Sequence, residues 1–134
     1  TNSMHLMFSL GVDSLDSTGW RLKAAYGRIQ LPGIGDRYVK KHSNNRRVIN
    51  EKEKRVLASC KCPVCKDLNT EDQIKTLDSS FKIRALHNAW VFVKEEKRFK
   101  DRLTDGCTED FVRERLEKSP FLKGFEYFMK RRGK

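Results

Sequence analysis

Cys60, Cys62 and Cys65 put three thiols within one short turn, Cys60-Lys61-Cys62-Pro63-Val64-Cys65. The spacers are too short for the thiols to separate, and Pro63 helps fix the backbone between them. A disulfide could use only two of the three. Thiolates converging this closely suit a tetrahedral ion, and zinc is the usual occupant of sulfur-rich structural sites. The fourth donor must come from elsewhere: His87, within Leu86-His87-Asn88, leads, and Cys107 is the other candidate. The competing reading is three buried free thiols, kept inert by apolar surroundings that raise their pKa. If four side chains close the site, no coordination position remains for water, and the ion is structural.

A second constellation is Gly11-Val12-Asp13-Ser14-Leu15-Asp16-Ser17-Thr18-Gly19-Trp20-Arg21, with carboxylates at Asp13 and Asp16. It directly follows His5–Leu10, which reads as a short buried strand. In a parallel α/β barrel catalytic groups collect where strands end. A carboxylate there could attack an anomeric carbon, or stabilise the cation formed as a glycosidic bond breaks. Asp and Ser also make ordinary turns and caps by bonding their own backbone, and that reading stands beside the catalytic one.

The elements that must position these groups fall into three stretches. Residues 12–50 are polar and turn-rich, with one short helix expected near Trp20–Tyr26. From Glu51 the pattern turns helical and leads into the cysteine turn. Asn69-Thr70-Glu71-Asp72 is a helix start, with a polar cap and acids in the first turn. A long helix is expected from about Ser80 to Arg102, with Ile83, Leu86, Trp90 and Val93 on one apolar face and Asp105-Gly106 as its stop. This puts His87 inside a helix. Thr108-Glu109-Asp110 should cap the next helix, and Ser119-Pro120 should open the last.

The chain has 134 residues, 35% of them charged, with a mean hydropathy of −0.73, so its core must be thin. A metal staple suits such a chain, because the free energy of binding the ion is folding free energy. Twenty-nine Lys and Arg against 18 Asp and Glu give a net charge of +11. That balance attracts polyanions, nucleic acid foremost, although a solvated surface without a dedicated partner is the plainer alternative. Basic residues gather at Arg37-Tyr38-Val39-Lys40-Lys41, at Arg46-Arg47 and at Lys130-Arg131-Arg132, the first two near the glycine-punctuated stretch from Gly27 to Asp36. Such groups suit phosphate contacts, which supply affinity without sequence information. No apolar run approaches the length of a membrane span. Clustered cysteines without a visible secretory signal predict a reducing, cytoplasmic setting.

At these residues the sequence resembles the tRNA-guanine transglycosylase (queuine/archaeosine tRNA-ribosyltransferase) family. Gly11–Ser17 is similar to its strand-end segment, whose second aspartate is the nucleophile, and the resemblance assigns that role to Asp16. Cys60, Cys62, Cys65 and His87, with Pro63-Val64 and Leu86-His87-Asn88, resemble its zinc site. Arg98–Arg115 is similar to the helical stretch that follows. The resemblance implies an α/β fold, the C-terminal portion of a (β/α)8 barrel with a zinc-binding subdomain and C-terminal helices. Residues 1–50 would be the end of the barrel and 51–134 the zinc subdomain. It implies exchange of guanine for a 7-deazaguanine base in tRNA. From their charge, Arg21, Lys23, Arg28, Arg37, Arg46 and Arg47 are the candidates for contacts with the substrate backbone. Trp20 is open to two readings, a base-stacking platform or a core residue.

Two departures qualify the resemblance. The family's other essential aspartate and its base-recognition residues belong to an N-terminal portion that nothing in this sequence represents. A fragment, a truncated product or one subunit of a split enzyme is therefore expected. Ser17–Arg21 and Gln30–Arg37 also differ from the ordinary tRNA enzymes, which keeps open the related branch that acts on DNA. A non-catalytic zinc module that binds nucleic acid through basic loops, or a subunit completing a partner's barrel, are the competing classes.

Overall fold

The computed structural model describes residues 2–15, 17–41 and 47–132. Seven helices and one hairpin are formed by these residues: α1 Asn2–Ser9, α2 Gly19–Ala25, β1 Arg28–Leu31, β2 Gly35–Tyr38, α3 Glu51–Ala58, α4 Thr70–Ser79, α5 Phe81–Thr104, α6 Thr108–Leu116 and α7 Leu122–Arg132. The architecture is mostly helical with a small sheet.

The expected strand at His5–Leu10 is helix α1 instead. A short apolar run does not separate strand from helix by periodicity. Met4 and His5 are buried here, and His5 packs edge-on against Phe111, 5.3 Å between ring centroids. Its Nε2 also lies 3.1 Å from Glu95 of α5. Burial of the adjacent residues Met4 and His5 departs from the alternation of a half-buried strand, which sends successive side chains to opposite faces. Gly11–Leu15 therefore follows a helix end, and the barrel portion is not among the described elements.

The glycine-rich stretch read as loop is an antiparallel hairpin, with Arg28 opposite Tyr38 and Leu31 opposite Gly35. Its four-residue strands are too short to announce themselves by alternation. The turn needs Gly33, at φ 69°, a backbone conformation that side chains disfavour.

Helix α3 starts with a capping box. Asn50 Oδ1 accepts from Glu53 N, and Glu53 Oε2 accepts from Asn50 N, both at 3.0 Å. The other Glu53 oxygen accepts from Arg37 Nε at 2.8 Å, so one side chain ties the cap to β2. Asn69 caps α4 as expected. Arg84 completes that helix's far end, donating to Leu77 O and Asp78 O at 3.0 Å and to Ala24 O of α2 at 2.9 Å. Asp105 and Gly106 end α5. The N-cap of α6 is Cys107, whose side chain makes no capping bond, one residue before the expected Thr108. Ser119 Oγ accepts from Phe121 N at 3.2 Å just ahead of α7.

Two apolar clusters result. One gathers Ile29, Leu31, Val39, Ile49, Leu57 and Leu77 around Cys62 and Cys65. The other holds Phe99, Phe111, Val112, Leu116 and Phe125 where α5, α6 and α7 meet. The face expected for α5 is corrected: Leu86 is 51% and Val93 58% exposed, and only Ile83 and Trp90 of that set pack against the core. The buried face carries Ala85, His87, Asn88, Val91, Glu95 and Phe99. Three of these are polar, so a hydrophobicity pattern alone selects the wrong stripe. They are tolerated inside because each has partners.

Candidate metal centre

The cysteine turn is made by its own backbone. Cys65 N and Lys66 N both donate to Cys62 O at 3.0 Å, and Cys60 N donates to Leu57 O at 2.9 Å, so the turn grows out of the end of α3. Gln73 of α4 donates from Nε2 to Cys65 O at 3.0 Å and fixes it from the other side. Cys62, Cys65 and His87 are buried and Cys60 partly so.

His87 reaches the turn from α5. Its Nδ1 lies 3.7, 3.5 and 3.6 Å from the sulfurs of Cys60, Cys62 and Cys65. All four donor atoms fall within 4.8 Å of one another. One ring nitrogen cannot satisfy three sulfurs by hydrogen bonding, since it carries at most one proton. A tetrahedral ion with metal–sulfur bonds of about 2.3 Å and a metal–nitrogen bond of about 2.0–2.1 Å implies nitrogen–sulfur edges of roughly 3.5–3.6 Å. The donor set and its spacing therefore fit a metal. Cys107, the alternative fourth ligand, is exposed and outside the group.

The second ring nitrogen is fixed by the hairpin: His87 Nε2 donates to Gln30 O at 3.1 Å. This selects the tautomer that leaves the Nδ1 lone pair toward the sulfurs. Asn88, next along the helix, accepts from Gln30 N at 2.8 Å and donates to Trp20 O at 3.1 Å and Arg28 O at 3.0 Å. Both backbone groups of Gln30 are thus held by two consecutive helical residues. The sequence marks Asn88 only as a neighbour of His87. Its work as a bracket depends on a hairpin that the sequence pattern hides.

Cys62, Cys65 and His87 hold their protons unevenly. Hydrogen bonds from Cys60 and Cys65 drive the Cys62 thiol far below its ordinary pKa. Hydrogen bonding to Cys60 and Cys62, together with burial, pushes Cys65 far above its ordinary value. Burial opposes charge on His87, yet bonding to the Cys60 and Cys62 sulfurs outweighs it and raises its pKa to about 9. A dication would reverse this order, favouring three thiolates and a neutral imidazole.

The remaining candidate residues are placed as follows. Asp16 and Arg46 lie outside the described residues. Asp13 is exposed on the rim of an apolar groove of about 1100 Å³ between the ends of α1, α5 and α7. Trp20 is half-buried, and Arg21 and Arg47 are exposed. Lys23, Arg28 and Arg37 are half-buried around the hairpin: Asp36 lies 3.8 Å from Lys23 and 3.0 Å from Arg28, and Arg37 pairs with Glu53 at 2.8 Å. Burial opposes the charge on Asp36, but Arg28 and Lys23 outweigh it and lower its pKa. These three cations thus hold the hairpin as well as offering charge. Among the described residues no helix is long and apolar enough to cross a membrane.

A model of the queuine tRNA-ribosyltransferase family matches residues 2–120. A curated relative, the tRNA-guanine(15) transglycosylase of Pyrococcus furiosus, is 31% identical over 119 residues. That alignment covers 87% of this chain and 18% of the relative, so the chain spans less than a fifth of that protein's length. No solved structure matches.

Proposed function

The chain belongs to the queuine tRNA-ribosyltransferase family, and on that premise we propose that it is the zinc-bearing part of a base-exchange transglycosylase acting on tRNA. The observation that carries the reading is the convergence of Cys60, Cys62, Cys65 and His87 inside the span that matches the family. Zinc, when bound, supplies a structural cross-link with no open position, so it activates no water. The ion would join the turn after α3 to α5, while His87 and Asn88 lock β1 to the same helix.

In this reading residues 1–50 are the end of a (β/α)8 barrel and 51–134 the zinc subdomain, with one core drawing on both. The rest of the barrel, in the same polypeptide or a partner subunit, supplies the base pocket and the second carboxylate. An Asp16 oxygen bonds to the sugar C1′ as the C1′–N9 bond breaks, and guanine leaves with the electron pair and takes up a proton. The N9 of a 7-deazaguanine, losing its proton, then attacks C1′ and releases the Asp16 carboxylate. Arg21 and Arg47 are exposed and suited to the substrate backbone. A tRNA-modifying enzyme with three adjacent thiols suits the reducing cytoplasm.

The test is Asp16→Asn in the enzyme completed by its barrel, assayed for guanine exchange and for a covalent adduct on a denaturing gel. Exchange and adduct should vanish while tRNA binding persists. Near wild-type exchange would remove Asp16 as nucleophile.

A further inference from the structure

A cavity of about 620 Å³ opens between β2, the start of α3 and the turn at Ser119 and Pro120. Lys23, Arg37, Arg47 and Lys118 line it, against the two carboxylates of Asp36 and Glu53. Both carboxylates are committed, with Arg28 at 3.0 Å from Asp36 and Arg37 at 2.8 Å from Glu53. Arg47 and Lys118 are exposed, and among the described residues neither has a carboxylate partner, so the cavity carries surplus positive charge.

Charge alone would suit any anion. The same wall, however, presents Phe121, a large apolar ring left 41% exposed. Its backbone is held by the bond from Phe121 N to Ser119 Oγ. Asn2 also lines the cavity. Cations and an accessible ring in one concavity match the phosphate and base of a nucleotide.

We propose that this cavity is a subsite for one unpaired nucleotide of a single-stranded stretch of nucleic acid, its phosphate on Arg47 and Lys118 and its base stacked on Phe121. A base in a duplex hides its face in the stack, whereas an unpaired one can lie on a ring. The inference rests on the nucleic-acid reading above and gives it a location, through Lys118 and Phe121, which the sequence pattern did not single out.

The test is fluorescence anisotropy of the zinc-loaded chain with a short unstructured RNA and with a fully paired RNA duplex, over a salt series. Phe121→Leu should weaken single-strand binding roughly tenfold and leave duplex binding nearly unchanged. Arg47→Gln with Lys118→Gln should reduce the slope of log affinity on log salt by about 0.7 for each phosphate that is no longer neutralised. Lys82→Gln with Lys97→Gln, which removes equal charge from exposed positions on α5, should change affinity far less. Metal content and melting temperature report whether each variant folds, and the exposed cation pair decides the matter if Phe121→Leu does not fold. If the wild-type chain binds RNA and the cavity variants match the α5 control, the subsite is overturned while the nucleic-acid reading survives. If the wild type binds no RNA, that reading fails for this chain and the subsite falls with it.

Discussion

The imidazole of His87 hydrogen-bonds the Gln30 carbonyl at 3.1 Å through Nε2 while its Nδ1 lies within 3.7 Å of all three clustered sulfurs. One ring therefore joins the hairpin to the cysteine turn, and the two connections depend on each other. Without the strand carbonyl the tautomer would be free, and without the sulfurs the ring would be buried to no purpose.

The first prediction concerns the metal. The chain should carry one zinc, and Cys62→Ser or His87→Ala should release it and lower the melting temperature sharply, whereas Cys107→Ser should change neither. Metal analysis and thermal melting check this. Because protons compete for the thiolates, metal retention should fall as pH falls. Full zinc content in Cys62→Ser would reject the ligand set.

The Asn88 bracket is open to a second test. Asn88→Ala leaves Gln30 N and the carbonyls of Trp20 and Arg28 without their partner. A buried polar group stranded in this way costs about 1–3 kcal/mol, and more than one is stranded here. Urea denaturation should show a loss of at least about 2 kcal/mol, with metal still bound at saturating zinc. A loss below about 0.5 kcal/mol would mean that water replaces the side chain.

Glu95 makes a third prediction. It is fully buried, bonded to His5 and Arg98 and 3.0 Å from Arg115 Nε. Burial opposes its charge, but His5, Arg115 and Arg98 outweigh that and lower its pKa from 4.5. A depressed carboxylate stabilises the fold above its unfolded pKa, and this stabilisation is lost as pH falls through the folded value. Glu95→Gln should therefore destabilise the chain by roughly 3 kcal/mol at neutral pH. The gap between variant and wild type should begin to narrow only below about pH 4.5. Melting curves of both proteins across the acid range decide it, and a gap independent of pH would contradict the assignment.

Arg84 supports a fourth. Its guanidinium serves carbonyls on both α2 and α4, a fork that an ammonium cannot reproduce. Arg84→Lys should cost about 1–2 kcal/mol and raise hydrogen exchange in the last turn of α4. Unchanged exchange there would show that the carbonyls are satisfied by solvent.

Residue identity and spacing made part of this legible. The cysteine spacing pointed to the group that could hold a metal, His87 lies within a helix, and the start of α4 and the end of α5 follow their capping residues. What stayed hidden depends on partners distant in sequence. His5–Leu10 has the composition of a strand, and only packing against Phe111 and Glu95 decides for α1. Leu86 and Val93 have core chemistry but lie exposed, because His87, Asn88 and Glu95 occupy the inward face of α5. Four-residue strands hold too few side chains for a pattern to register.

The hydrogen bond between His87 and Gln30 spans 57 positions, while the imidazole and the sulfurs are only 22 to 27 apart. The shorter loops close at lower entropic cost, so folding favours capture of His87 by the cysteine turn before the hairpin docks. The order of events then runs from the ion outward. Free zinc during refolding should speed the appearance of helical structure around α5, and the hairpin amides should gain exchange protection last.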